Sequence, residues 1–207
     1  MGSLHRFDLA PIVSKYNLKT FVETGTARGN SLAWAAANPD FQHLLSCEIE
    51  PLLAAGAIAR FNEDPRVSIV RMESGLFIGL FATSGLPPAL IFLDAHYPGA
   101  GYGLGDYAGE GIHEDVRLPL RCELQNLTAR PPHDVILIDD LRIYELGDYQ
   151  DGNLPEGVPG YPTPNGAQWI LDLFPFHRGV RLKEDQGYLI LMPEPAWQRS
   201  DECHFLP

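Results

Sequence analysis

Cysteine is scarce in this chain. Cys47, Cys122 and Cys203 are odd in number, far apart and without a CxxC spacing, so neither a disulfide framework nor a zinc site built on paired thiolates is expected. Long apolar runs are missing too. No stretch approaches the roughly 18–20 apolar residues of a membrane span, and the opening MGSLHRFDLAPIV lacks the continuous apolar core of a signal peptide. The expectation is a cytoplasmic protein with no membrane partner. Basic residues are outnumbered, 15 Lys and Arg against 27 Asp and Glu for a formal charge of −12, and they form no cluster able to follow a phosphate backbone. Nucleic acid is therefore not an expected partner. Lysine is absent altogether between Lys19 and Lys183.

What is present suits one domain over residues 1–207, 45% hydrophobic and 20% charged, with a single sizeable core. Apolar strand-like stretches LKTFVETG, HLLSCEI, VSIVRM, ALIFLD and DVILID alternate with helical ones at Gly29–Asn38, Pro51–Asn62, Ser74–Ala82 and about Glu110–Thr128. That alternation implies parallel crossovers and a three-layer α/β sandwich. After a helix at Ala167–Phe174, GVRLKEDQGYLILMP reads as two strands joined by a turn at Glu184–Gly187, an antiparallel edge that brings the strands to seven. Pro98–Gly111 and Gly147–Gly166 are long, irregular and dense in Gly, Pro and Tyr. They read as functional loops, with Tyr97, Tyr102, Tyr107 and Tyr161 candidates to line a pocket.

Open α/β sheets bind ligands at the carboxyl ends of their strands. Those ends here carry Glu23-Thr24-Gly25-Thr26, Glu48-Ile49-Glu50, Met72-Glu73-Ser74, Asp94-Ala95-His96 and Asp139-Asp140. Every one is acidic. Carboxylates gathered on one rim repel and raise one another's pKa unless a cation or hydrogen-bond donors intervene. The first end, ETGTARGNS, has glycines at 25 and 29 that allow close backbone approach to a ligand, but its spacing is not the GxGxxG of dinucleotide sites.

The spacing is Glu-x-Gly-x-x-x-Gly, and with it the sequence resembles the class I S-adenosylmethionine-dependent methyltransferases from about Leu18 to Pro193. The resemblance implies a Rossmann-like sandwich with a mostly parallel seven-stranded sheet and a C-terminal antiparallel hairpin. It also implies cofactor contacts from Glu23, Gly25, Thr26, Gly29, Asn30 and Ser31, from Glu48 as a two-oxygen acceptor for the ribose hydroxyls, from Glu73 and Ser74 at the adenine edge, and from Asp94. Within the class, the chain resembles the divalent-metal-dependent small-molecule O-methyltransferases of the catechol type and of the macrolide and cephalosporin pathways. By that resemblance Asp94, Asp139 and Asp140 would bind Mg²⁺ or another divalent metal.

A methyl sulfonium is already activated, so an enzyme has to align the acceptor oxygen and make it nucleophilic. A metal held by hard oxygens does both by chelating a diol or hydroxy-carbonyl group and lowering its pKa. His96 is the expected base. The catechol enzymes are credited with a lysine there, and the lysine-free interior of this chain departs from them. Asp139-Asp140 would also suit a turn or helix cap. A metal-independent methyltransferase, with Asp94 on the methionine end of the cofactor, and a non-catalytic S-adenosylmethionine-binding protein are the other readings. His113, Glu114 and Asp115 are consecutive and read as a solvated helix start, and Trp34 as core packing against the sheet. The expected partner is a small-molecule acceptor; oligomeric state stays open, a homodimer being one option.

Overall fold

The computed structural model describes residues 4–96, 114–157 and 160–194. Tyr97, Tyr102, Tyr107, His113, Cys203, the loop at 98–111 and the side chains of Glu114 and Asp115 lie outside the described residues. The chain begins with a 3-10 turn at Leu4–Arg6 and helix α1 at Leu9–Tyr16. Strands and helices then alternate: β1 (Thr20–Thr24), α2 (Asn30–Ala36), β2 (His43–Glu48), α3 (Pro51–Arg60), β3 (Val67–Arg71), α4 (Ser74–Ala82) and β4 (Ala89–Leu93). Helices α5 (Glu114–Arg117) and α6 (Leu120–Leu127) lead to β5 (Val135–Ile138), a 3-10 turn (Leu141–Ile143), α7 (Gln168–Leu173), β6 (His177–Leu182) and β7 (Tyr188–Pro193). No helix among the described residues is long and apolar enough to cross a membrane.

The seven strands form one sheet in the order β3-β2-β1-β4-β5-β7-β6. Pairing is parallel from β3 to β5 and antiparallel where β7 meets β5 and β6, as the alternation and the closing hairpin predict. Strand residues alternate between two cores, as a period of two requires. Val22, Ile91, Ile136 and Leu191 pack with Phe77, Ile78, Leu124 and Ile170 from α4, α6 and α7 on one face. Phe21, Phe92, Leu137 and Ile190 pack with Ile12 and Leu32 from α1 and α2 on the other. The order reverses between β1 and β4, which is where an open α/β sheet leaves a ligand crevice.

One local feature lies outside the sequence-based expectation and two differ from it. Helix α1 holds Pro11 in its first turn, where the missing N–H would have had no helical partner, so LAPIVSKY folds as a helix despite its proline. Asp8 caps it through the Ala10 amide and Asn17 closes it in the left-handed region. The helix expected at Glu110–Thr128 is interrupted at Leu118-Pro119 into α5 and α6. Trp34 is not core: at 39% exposure it lies over the N-terminal segment, its indole N–H donating to the Phe7 carbonyl at 3.1 Å and its ring against His5.

The end of the sheet away from the acidic rim is tied down by a buried ion pair. Asp134 accepts from Arg130 Nη2 at 3.0 Å and from the Ala89 amide at 2.7 Å, joining the starts of β4 and β5. Both side chains are about nineteen-twentieths buried. Removing one partner strands the other's charge, so Asp134→Ala is expected to lower unfolding free energy by about 3–5 kcal/mol in urea denaturation while leaving the other end of the sheet competent to bind ligand.

Candidate functional site

At the crevice, the loop after β1 is coiled back on the end of β2. The Gly25 and Thr26 amides both donate to the Cys47 carbonyl at 3.0 Å. The Ala27 amide donates to Glu48 Oε2 at 2.7 Å, and the Glu50 amide to Glu48 Oε1 at 2.9 Å. Each Glu48 oxygen keeps a further lone pair, as a ribose acceptor would need. Three residues in this loop have positive φ, Gly25 at 79°, Ala27 at 48° and Gly29 at 72°. For Ala27 that conformation costs about 1–2 kcal/mol, and the Glu48 bond holds it there. Gly25 is required twice over, because a Cβ on it would also stand 2.8 Å from the Asp94 carbonyl oxygen. The loop thus lies directly on the backbone that carries Asp94.

Beneath the loop, Ser46 donates to Glu23 Oε2 at 2.8 Å, and Thr26 Oγ1 lies 2.6 Å from Ser46 Oγ. Glu23 is fully buried; burial pushes its carboxyl well up, the Ser46 bond opposes this, and the charges of Asp94 and Glu48 add to it. Glu23 is therefore a support under the loop, closed off from solvent. Asn30, expected on the cofactor, is exposed and accepts from Arg60 Nη1 at 3.0 Å instead. Ser31 is half-buried, Ser74 is buried as the first residue of α4, and Glu73 precedes it in extended backbone at the cap position.

Across the crevice stand the ends of β4 and β5. The Asp139 amide still donates to the Leu93 carbonyl at 3.1 Å, keeping it in register beside β4. Asp140 then turns into the left-handed region, φ 54°. The Leu141 amide donates to the Gly187 carbonyl, tying this corner to the hairpin turn. Asp94, His96 and Asp139 each offer a ligand atom within 4.8 Å of the others. Asp140 stands beside this group: its Oδ1 accepts from Arg142 Nε at 3.0 Å, and its Oδ2 is 3.8 Å from His96 Nε2. Of the three aspartates expected from the sequence, Asp94 and Asp139 converge together with His96, and Asp140 borders them with its Oδ2 toward His96.

Burial drives the Asp139 carboxyl well above the carboxylate range, with the Asp94 charge adding and His96 opposing. Asp140 is raised for the same first reason, with His96 and Arg142 opposing. Burial alone would lower the His96 imidazole, but Asp94 at 3.4 Å and then Asp140 and Asp139 outweigh it and raise it to about 9. The base role expected of His96 needs a neutral ring, which the rim's carboxylates disfavour unless a cation offsets their charge. Among the described residues, Asp139 Oδ1 and both His96 ring nitrogens are buried without a hydrogen-bond partner. Polar atoms left so inside a protein await a ligand or an ion, and a divalent cation with oxygen and nitrogen donors fits them.

One carboxylate was not anticipated. Glu123, on α6, is 1% exposed with its Oε1 unpartnered, and its neighbours are the Thr24 and Ser74 hydroxyls and the His96 charge. It shares a helix face with the buried Leu120, Leu124 and Leu127. A charged residue on an apolar stripe of i, i+4, i+7 spacing is the signal that finds it. Burial lifts its carboxyl to about 7, against the two hydroxyls that favour the ionised form. At the other margin of the crevice, the segment after β5 is anchored by Glu145, which accepts from Arg181 Nε at 2.6 Å and from the Ala167 amide. Tyr161 is half exposed there, its amide bound to the Ile143 carbonyl.

No protein-family model and no curated protein sequence matches the chain. Solved structures do. The O-methyltransferase from Bacillus cereus in complex with SAH is similar over 94% of this chain and 82% of that one, at 16% identity and TM-score 0.57. The O-methyltransferase TomG from Streptomyces achromogenes, involved in tomaymycin synthesis and bound to SAM, is similar over 90% and 78%, at 18% identity and TM-score 0.51. The SAH-bound methyltransferase PaMTH1 from Podospora anserina is similar over 89% and 75%, at 16% identity and TM-score 0.53. The chain therefore has the class I methyltransferase fold.

Glu123 gives this site a measurable signature in chelator. Its carboxyl is raised on folding, so the unfolded chain ionises first, and the associated penalty grows from pH 4.5 to about 7 and stays full above. The displacement corresponds to roughly 3 kcal/mol. Glu123→Gln is expected to match wild type below pH 4.5 apart from a constant offset, and to gain about 3 kcal/mol on it by pH 8. Urea denaturation across that range measures the difference.

Proposed function

We propose that the protein transfers the methyl group of S-adenosylmethionine to an oxygen of a small hydroxylated or sugar-containing molecule, assisted by a divalent metal. The observation that carries this reading is one juxtaposition. A glycine loop pinned by Glu48 lies in backbone contact with Asp94, and Asp94 belongs to a group of convergent ligands with orphaned atoms. A nucleoside held by the loop would thus present its far end to the acidic rim.

In this reading the residues divide the work by position. Glu48 takes the ribose hydroxyls with its free lone pairs, and Gly25, having no side chain, lets the loop close on the Asp94 backbone. Glu73 and Ser74 border the adenine. Asp94 and Asp139, with Asp140 beside them, would hold the metal, which when bound supplies a chelating point for the acceptor and lowers its pKa. The acceptor oxygen forms its bond to the methyl carbon as the carbon–sulfur bond breaks; the electron pair stays on sulfur, the sulfonium becomes a neutral thioether, and the acceptor loses its proton. The protein's contribution is alignment and exclusion of water from a buried rim.

Titrating S-adenosylhomocysteine into chelator-treated protein in a calorimeter tests the platform without presuming the metal. Saturable one-site binding is expected, weakened roughly 10- to 100-fold by Glu48→Ala, the range for losing charged hydrogen bonds. No heat, together with no thermal stabilisation at high ligand, would remove the platform and the mechanism with it. Methyl transfer to diol-bearing acceptors should then fail in chelator and return with a divalent ion.

A further inference from the structure

The acidic rim is not purely acidic where it converges. Resting on the reading of that rim as a metal site, we propose that His96 is a ligand of the ion, and that the site consequently takes a divalent ion from the iron-to-zinc part of the first transition row in preference to Mg²⁺. Its Nε2 stands 3.4 Å from Asp94 Oδ1 and 3.8 Å from Asp140 Oδ2. These separations suit two donors of one ion better than an aligned hydrogen bond. Among the described residues neither ring nitrogen has another partner, and the side chain is nine-tenths buried. Asp139, whose Oδ1 is also without a partner among the described residues, completes the set with one carboxylate oxygen within 4.8 Å.

The donor types decide the ion. Mg²⁺ prefers an octahedron of oxygens, several of them water. Imidazole nitrogen suits Zn, Fe and Ni, and affinity for mixed nitrogen and oxygen sites climbs along the first row. Asp140 has its Oδ1 bound to Arg142, which leaves only Oδ2 facing the rim. His96 adds a nitrogen donor to these oxygens. On this assignment the acceptor's proton leaves to solvent, because the histidine's near nitrogen faces the ion.

The test uses chelator-treated full-length protein, Co²⁺ and Mg²⁺. Co²⁺ should bind at one site with ligand-field absorption bands and give a hyperfine-shifted, exchangeable imidazole N–H proton resonance. His96→Asn should abolish that resonance and weaken Co²⁺ at least about tenfold, with a smaller change for Mg²⁺ in competition. His96→Asp, which restores an oxygen donor, should bind Mg²⁺ and shift the Co²⁺ to Mg²⁺ affinity ratio toward Mg²⁺ by a similar factor. Retention of both the resonance and the ratio in His96→Asn would overturn the ligand assignment. Asp139→Asn separates that failure from the wider one: if it leaves Co²⁺ and Mg²⁺ binding unchanged, the rim is not the metal site. Calorimetric binding of S-adenosylhomocysteine to each variant reports on folding and on the cofactor reading independently.

Discussion

Burial of several carboxylates on one rim is the constraint around which this molecule is arranged. Glu23, Glu48, Asp94, Glu123, Asp139 and Asp140 all project from the carboxyl ends of the strands or from the helix packed beneath them. Four of them, Glu23, Glu123, Asp139 and Asp140, are raised, burial being the first cause in every case. A fold optimised only for stability would place apolar residues there. The structure instead distributes partial relief: Ser46 for Glu23, two backbone amides for Glu48, Arg142 for Asp140 and His96 for the rest.

The relief is uneven, and the unevenness is informative. Glu48 has a backbone donor on each oxygen, so its orientation is set before any ligand arrives. Asp139 Oδ1 and His96 have no such donors, although they are as deeply placed. Preorganisation on one side of the crevice and unsatisfied ligating atoms on the other match a small organic cofactor and an ion respectively. On the proposed reading these are two kinds of site that the sequence presents as one acidic series.

Much of the fold was legible in the sequence because parallel strands buried on both faces read as short, continuous apolar runs, such as VILI before Asp139. Gly25 was legible because the spacing Glu-x-Gly-x-x-x-Gly directly follows such a strand. Glu123 and the partition between Asp140 and His96 were not. They depend on which side of α6 faces the sheet and on the left-handed turn at Asp140, both fixed by tertiary packing. The break at Leu118-Pro119 belongs in the same group, as does Trp34, whose helix lies under an N-terminal segment that a strand-by-strand reading leaves unplaced.

The contact between Gly25 and the Asp94 carbonyl has a thermodynamic consequence. The loop and the rim share a backbone surface with no side chain between them to absorb a shift. A ligand that draws Asp94 forward alters the seat of the loop, and a ligand that closes the loop presses on Asp94. To the extent that the two move together, reciprocity follows: whatever factor one occupant contributes to the other's affinity is returned in equal measure. Two occupants on opposite sides of a single glycine would then bind as a linked pair, each reporting the presence of the other.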